Sequence, residues 1–259
     1  MPRPVLVTIG LSHFCEKARW ALDRAGIAYV EESYPPILHY LATMPRLRQR
    51  TAPILVTPHG TLCDSTSILR HADKFLPEPD RLFPTDPALL AEVERLVQLF
   101  DKKLGPATRR IAYFYLLDDR SAFASTALAK SGIVERAAFR LALPAIVRLI
   151  RRGLKIDEAG ARRSEEQLQT VFDEVDARLS QGQRYLVGSK LSAADLTFAA
   201  LAAPLLLPPR YHWPLPELGK TPDAFQDIVE RYRSRPAGAW ALGLYEQERD
   251  RGSTLRTEK

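Results

Sequence analysis

Ser12, His13 and Cys15 fall together in LSHFCEKARW, where an apolar run gives way to helical spacing. A helix start points its free N–H groups and the positive end of its dipole at whatever lies there, so an anion, a thiolate included, is stabilised at that place. Ser12 sits at the start, where a serine offers a hydroxyl donor to a ligand or serves as a plain N-cap. The spacing S-x-x-C has the outline of a C-x-x-C redox motif whose exposed first cysteine has become serine. Cys15, the member left at the shielded place, reads as a small buried hydrophobe or as the redox group of a thiol-exchange reaction. His13 would act as a base if a carboxylate oriented it. The sequence sets up no such partner, and it reads as a peripheral histidine exposed near a helix start.

Two further stretches carry polar chemistry. In TAPILV, Pro53 stands at the entrance to a strand, where a proline is a candidate for a cis bond. That geometry would leave the Ala52 backbone N–H and C=O free to pair with an extended peptide ligand. In DSTSILRHAD, Asp64 and Ser65 open a helix. They offer a carboxylate for an amine, and a hydroxyl with unpaired N–H groups for a carboxylate; the same residues are also good helix caps. Together the two stretches would hold an amino-acid head group.

The elements that position these residues follow from the hydrophobic pattern. PVLVTI (4–9) reads as a strand, 13–25 as a helix stopped by Gly26, and IAYVEES (27–33) as a second strand. A short helix over 37–43, a hairpin of APILV and GTLCD about TPHG, and the helix STSILRHADKF complete a β-α-β-α-β-β-α layer. The proline-rich segment at 77–86 marks a boundary. Beyond it, 87–117, 122–152, 158–180, 192–206, 222–233 and 236–248 carry helical periodicity and no strand pattern. The expected organisation is an α/β domain over 1–78 and an all-α domain over 87–250.

Composition narrows the classes. The 259 residues, 46% hydrophobic, suffice for one large domain or two of ordinary size. Two cysteines, Cys15 and Cys63, are too few for a disulfide framework, and MPRPVLVTIG has no secretory signal pattern, which makes a reducing cytoplasm the default. LTFAALAAPLLLPP is too short to span a bilayer. The net charge of +6 is diffuse, and its densest segment, RLALPAIVRLIRRGLK, has the pattern of a helix with one solvated face. No aromatic stacking pattern accompanies it, so nucleic acid is not an expected partner.

Taken in order, the first strand, SHFCEKARWALDRAGI, the strand-initiating AP, the helix-opening DS and SKLSAADLTFAALAAPL resemble the cytosolic glutathione transferases over about residues 4–250. The resemblance implies a thioredoxin-like domain followed by an all-helical one, glutathione as co-substrate, no metal, and a homodimer. It aligns Ser12 with the catalytic serine of the theta, zeta and tau classes and the cysteine of the omega class. It further implies that Ala52 pairs with the cysteinyl unit beside cis-Pro53, and that Asp64 and Ser65 bind the γ-glutamyl head. Tyr113, Tyr115 and Arg109 fall on the first long helix, where that family lines its pocket for a hydrophobic electrophile. Ser192-x-x-Asp195 is similar to the family's structural capping motif. Three features depart from the family. His13 replaces a common proline. MPRLRQRTAP brings Arg46, Arg48 and Arg50 as a glycyl-carboxylate clamp or a solvated loop. The segment from Arg110 to Lys155 enlarges the helical part and points to an unusual substrate pocket or partner surface. The implied activity is conjugation of the glutathione thiolate to a small electrophile. The rivals are a glutathione-dependent thiol transferase using Cys15 and a non-catalytic binding protein on the same fold.

Overall fold

A short β-rich run followed by amphipathic spacing folds into a β-α-β unit when the second strand lies beside the first. In the computed structural model, which describes residues 3–48, 50–249 and 257–258, β1 (Val5–Ile9) pairs in parallel with β2 (Val30–Tyr34) across α1 (His13–Arg24). After α2 (His39–Leu47), β3 (Ile54–Thr57) returns antiparallel to β1 with Leu6 opposite Leu55, and β4 (Gly60–Leu62) closes the hairpin. β5 (Thr257–Glu258) extends the β2 edge, giving the order β4-β3-β1-β2-β5. α3 (Ser65–Asp73) then packs on α1.

The remainder is helical: α4 (Pro87–Leu99), α5 (Gly105–Leu116), α6 (Arg120–Ala127), α7 (Ile133–Leu154), α8 (Glu158–Leu179), α9 (Ala193–Leu206), α10 (Asp223–Arg233) and α11 (Pro236–Glu248). α9 is hydrophobic all round, and all but one of its residues are buried, as expected of a helix enclosed by others. The capping box read from the sequence is present. The Asp195 carboxylate accepts from Ser192 N–H at 2.7 Å and from Leu186 N–H at 2.7 Å, and burial raises its pKa to about 6. α1 packs directly against α9, and one core runs without a break from Leu6 and Leu55 on the sheet to Phe198 and Leu201 on α9.

Two expected helices are divided. The span 87–117 contains a π-helical segment, Phe100–Leu104, between α4 and α5. The span 122–152 breaks after Leu128, because Gly132 caps a new helix with its N–H donated to the Glu135 carboxylate at 3.3 Å. α6 and α7 build a second, smaller core about Phe123, Phe139, Leu143 and Ile150. The enlarged segment is therefore a packed wall with its own interior.

Candidate active site

The turn after β1 is shaped by what lies beneath it. A Cβ on Gly10 would come within 2.5 Å of the Trp213 ring, so this approach requires glycine. Arg19 holds the turn from the other side. Its guanidinium donates to Gly10 C=O at 3.2 Å and is paired with Glu31 at 2.6 Å, which keeps the Glu31 carboxyl ionised despite burial. Ser12 follows as the N-cap of α1. Its N–H donates to Ile9 C=O and its C=O accepts from Glu16 N–H, both at 2.9 Å, while its side chain makes no capping bond. The hydroxyl makes no cap bond and instead lies within hydrogen-bond reach of the Cys15 thiol one turn along.

Cys15 is fully buried one turn on, where its sulfur accepts from Ile9 N–H at 3.4 Å. Burial pushes the thiol up, outweighing the nearby Arg19 charge, so the thiol form is favoured. His13 departs from expectation: it is 2% exposed. Its Nε2 lies 2.9 Å from Gly105 C=O at the start of α5, and since a carbonyl only accepts, the proton is on Nε2. Burial and the Arg109 charge lower its pKa to about 3, making it a neutral imidazole in the wall of the site.

A cavity of about 630 Å³ lies between these elements and the helical part. Ser12, His13 and Ala52 line one side; Arg109 and Tyr113 on α5 line the other. Phe123 and Ile150 from the second core close the far wall. The Ala52–Pro53 bond is cis, and Pro53 is buried beside Ala52. Arg50 also lines the cavity, and its carbonyl faces His39 Nε2 at 3.3 Å. Arg48 is exposed at the left-handed cap of α2; the Arg46 side chain is outside the described residues.

The cavity leaves out some of the expected residues. Tyr115 does not line it: two positions along a helix turn the side chain about 200° from Tyr113, and its ring packs 6.0 Å from Phe225 instead. Asp64 caps α3, accepting from Ser67 N–H at 2.8 Å and Ser67 O–H at 2.5 Å, and neither it nor the buried Ser65 borders the cavity. Sequence reading missed the contacts beneath them. Lys17, on α1, donates to Thr66 Oγ1 at 2.6 Å and to Asp101 at 2.7 Å, joining α1, α3 and the π-helical segment. A lysine amid buried neighbours in α1 was the available signal, but Asp101 lies 84 residues away and no local pattern names it. Tyr211 was also missed. It lines the cavity and donates to Leu11 C=O at 3.0 Å from a proline-rich connector with no periodicity to read.

The family model for the N-terminal domain of glutathione S-transferase matches residues 6–80, and that for the C-terminal domain matches residues 136–212. The chain belongs to the glutathione transferase superfamily. The models leave its class open and match residues on both sides of α6. Among solved structures it is similar to a glutathione S-transferase from Rhodospirillum rubrum at 21% identity (TM-score 0.55, covering 91% of this chain and 90% of that one). It is also similar to the beta-etherase LigF from Sphingobium at 20% identity (TM-score 0.60; 93% and 99%). A glutathione S-transferase from Methylobacterium radiotolerans, solved with glutathione sulfonate, is 16% identical (TM-score 0.54; 93% and 95%). No curated protein matches. Among the described residues, no group of three or more His, Cys, Asp or Glu is placed to hold a metal, and no helix is long and apolar enough to cross a membrane.

Proposed function

We propose that this glutathione transferase-like protein binds glutathione along Ala52, with the thiol at Ser12, and conjugates it to an electrophile seated in the cavity. The observation that carries the reading is Ser12, which starts α1, makes no side-chain cap bond and lines the cavity on the same side as Ala52. A free thiol has a pKa of about 8.5 and is mostly protonated at neutral pH. A hydroxyl donor at a helix N-terminus lowers that value and raises the fraction of thiolate. The serine acts as a donor, and the nucleophile is the sulfur of glutathione. The neighbour solved with glutathione sulfonate supports this ligand. Asp64 and Ser65 would meet the γ-glutamyl head and Arg50 the glycyl carboxylate, with a second copy of the chain completing a homodimer. Burial of Cys15 favours conjugation over a thiol exchange that would use its thiolate.

Calorimetric titration with glutathione tests binding, and the ultraviolet absorbance of bound thiolate against pH tests the role of Ser12. Saturable binding with a thiol pKa below its free value, raised in Ser12→Ala, is expected. A protein that does not bind glutathione, or one whose activity survives Ser12→Ala and is abolished by Cys15→Ala, overturns the assignment.

A further inference from the structure

Arg109 is the polar feature of the cavity that this reading leaves unused. It lines the cavity from α5 beside Tyr113, with His13 on the facing side. Its Nε is buried without a hydrogen-bond partner, and among the described residues no carboxylate or carbonyl accepts from its guanidinium. The two carboxylates bordering the cavity are engaged elsewhere: Asp119 accepts from Ala122 N–H at 2.9 Å as the cap of α6, and Glu217 pairs with Lys220 at 2.8 Å on an exposed rim. The facing imidazole of His13 is already committed as a donor to Gly105. Burial opposes the charge most, the neighbouring Arg110 cation opposes it as well, and the phenols of Tyr113 and Tyr40 favour it. An unpaired cation in an apolar wall costs stability, and its planar fork of donors matches a carboxylate through two parallel hydrogen bonds.

We infer that the second substrate is an acidic electrophile, an apolar body bearing a carboxylate that pairs with Arg109 while its reactive carbon faces Ser12. The inference rests on the conjugation reading and narrows it. Leu116, Phe123 and Ile150 would enclose the apolar body, and the carboxylate would meet the Arg109 guanidinium, whose buried Nε has no partner. Glutathione keeps its own site at Ala52, so the two anionic groups would be held on opposite walls.

The test uses a matched pair, 4-chloro-3-nitrobenzoate and its methyl ester. With each, the glutathione sulfur bonds to the ring carbon that carries chlorine, the C–Cl bond breaks with its electron pair leaving as chloride, and the thiol proton passes to solvent. After correction for the uncatalysed rates, the wild-type protein is expected to favour the acid in kcat/KM by at least about tenfold, the order of one charge-assisted hydrogen bond. In Arg109→Met that preference should collapse toward one, with partial return in Arg109→Lys. The dissociation constant of unreactive 3-nitrobenzoate, titrated without glutathione, should rise about tenfold or more in Arg109→Met. The thermal midpoint of that variant should equal or exceed wild type, because a buried unpaired charge has been removed. Equal use of acid and ester by the wild type would overturn the inference. So would an Arg109→Met variant that weakens glutathione as much as 3-nitrobenzoate, or one that melts well below wild type with the acid preference intact. If glutathione fails to bind, the conjugation reading falls by itself, and the 3-nitrobenzoate titration still decides whether Arg109 is an anion site.

Discussion

Ser12 and His13 are neighbours whose side chains have opposite commitments. The Ser12 hydroxyl is free of the helix cap, whereas the His13 imidazole is fixed to Gly105. Removing the hydroxyl in Ser12→Ala should lower conjugation at neutral pH by about tenfold to a thousandfold, the range seen on losing one donor to a developing or stabilised anion. The loss should shrink as pH rises past the free thiol pKa. Cys15→Ala should cost about 1 kcal/mol of stability on chemical denaturation and leave glutathione binding in place. His13 makes a separate prediction about pH. Its folded pKa is depressed to about 3 against 6.5 in the unfolded chain, so below pH 6.5 the unfolded state takes up a proton that the folded state refuses. Stability is thus lost as pH falls, by up to about 1.4 kcal/mol per pH unit from this group. Between pH 6.5 and 4.5, His13→Gln, which keeps a donor for Gly105, should lose less stability than wild type in urea titrations. Ser12 was legible because a cap turn is a local pattern. His13 was not, because the carbonyl that buries it comes from 92 residues away.

At the level of elements, the turn between β1 and α1 is held by an absence. Gly10→Ala would drive a methyl group into the rigid Trp213 indole, at a cost of about 1–3 kcal/mol, and would displace the Ser12 turn. A lowered midpoint in urea together with weakened glutathione binding is expected; unchanged values for both would show that the turn moves freely. The strands, α1 and the capped α9 could be read from sequence because each carries its own start signal and period. The division of 122–152 into α6 and α7 could not. Both pieces have helical periodicity, and Gly132, which breaks them, is also tolerated inside helices. Nor does periodicity disclose a π-helical segment, since Phe100 and Leu104 at its two ends are both buried, as in a regular helix. That segment decides where Asp101 meets Lys17.

Across the whole molecule, buried charges tie the ends of the chain together. Arg249, past α11, donates to Glu16 at 2.6 Å and to Asp23 at 2.9 Å on α1, and both carboxylates are buried. Arg249→Met would leave them without this cation, at a cost of about 3–5 kcal/mol. Denaturant unfolding should show the loss as a lowered midpoint. Nothing local in the sequence joins residue 16 to residue 249, so this closure was invisible there, although each helix it connects was not. The Trp213 packing carries a different consequence. The indole presses on Gly10 two residues before Ser12, and its N–H donates to the C=O of the cavity-lining Thr126 at 2.7 Å, so one chromophore bridges the Ser12 turn and α6. The protein thereby contains an intrinsic optical reporter: shifts in the emission of Trp213, isolated by replacing Trp20 and Trp240 with phenylalanine, would follow filling of the cleft in real time without a dye.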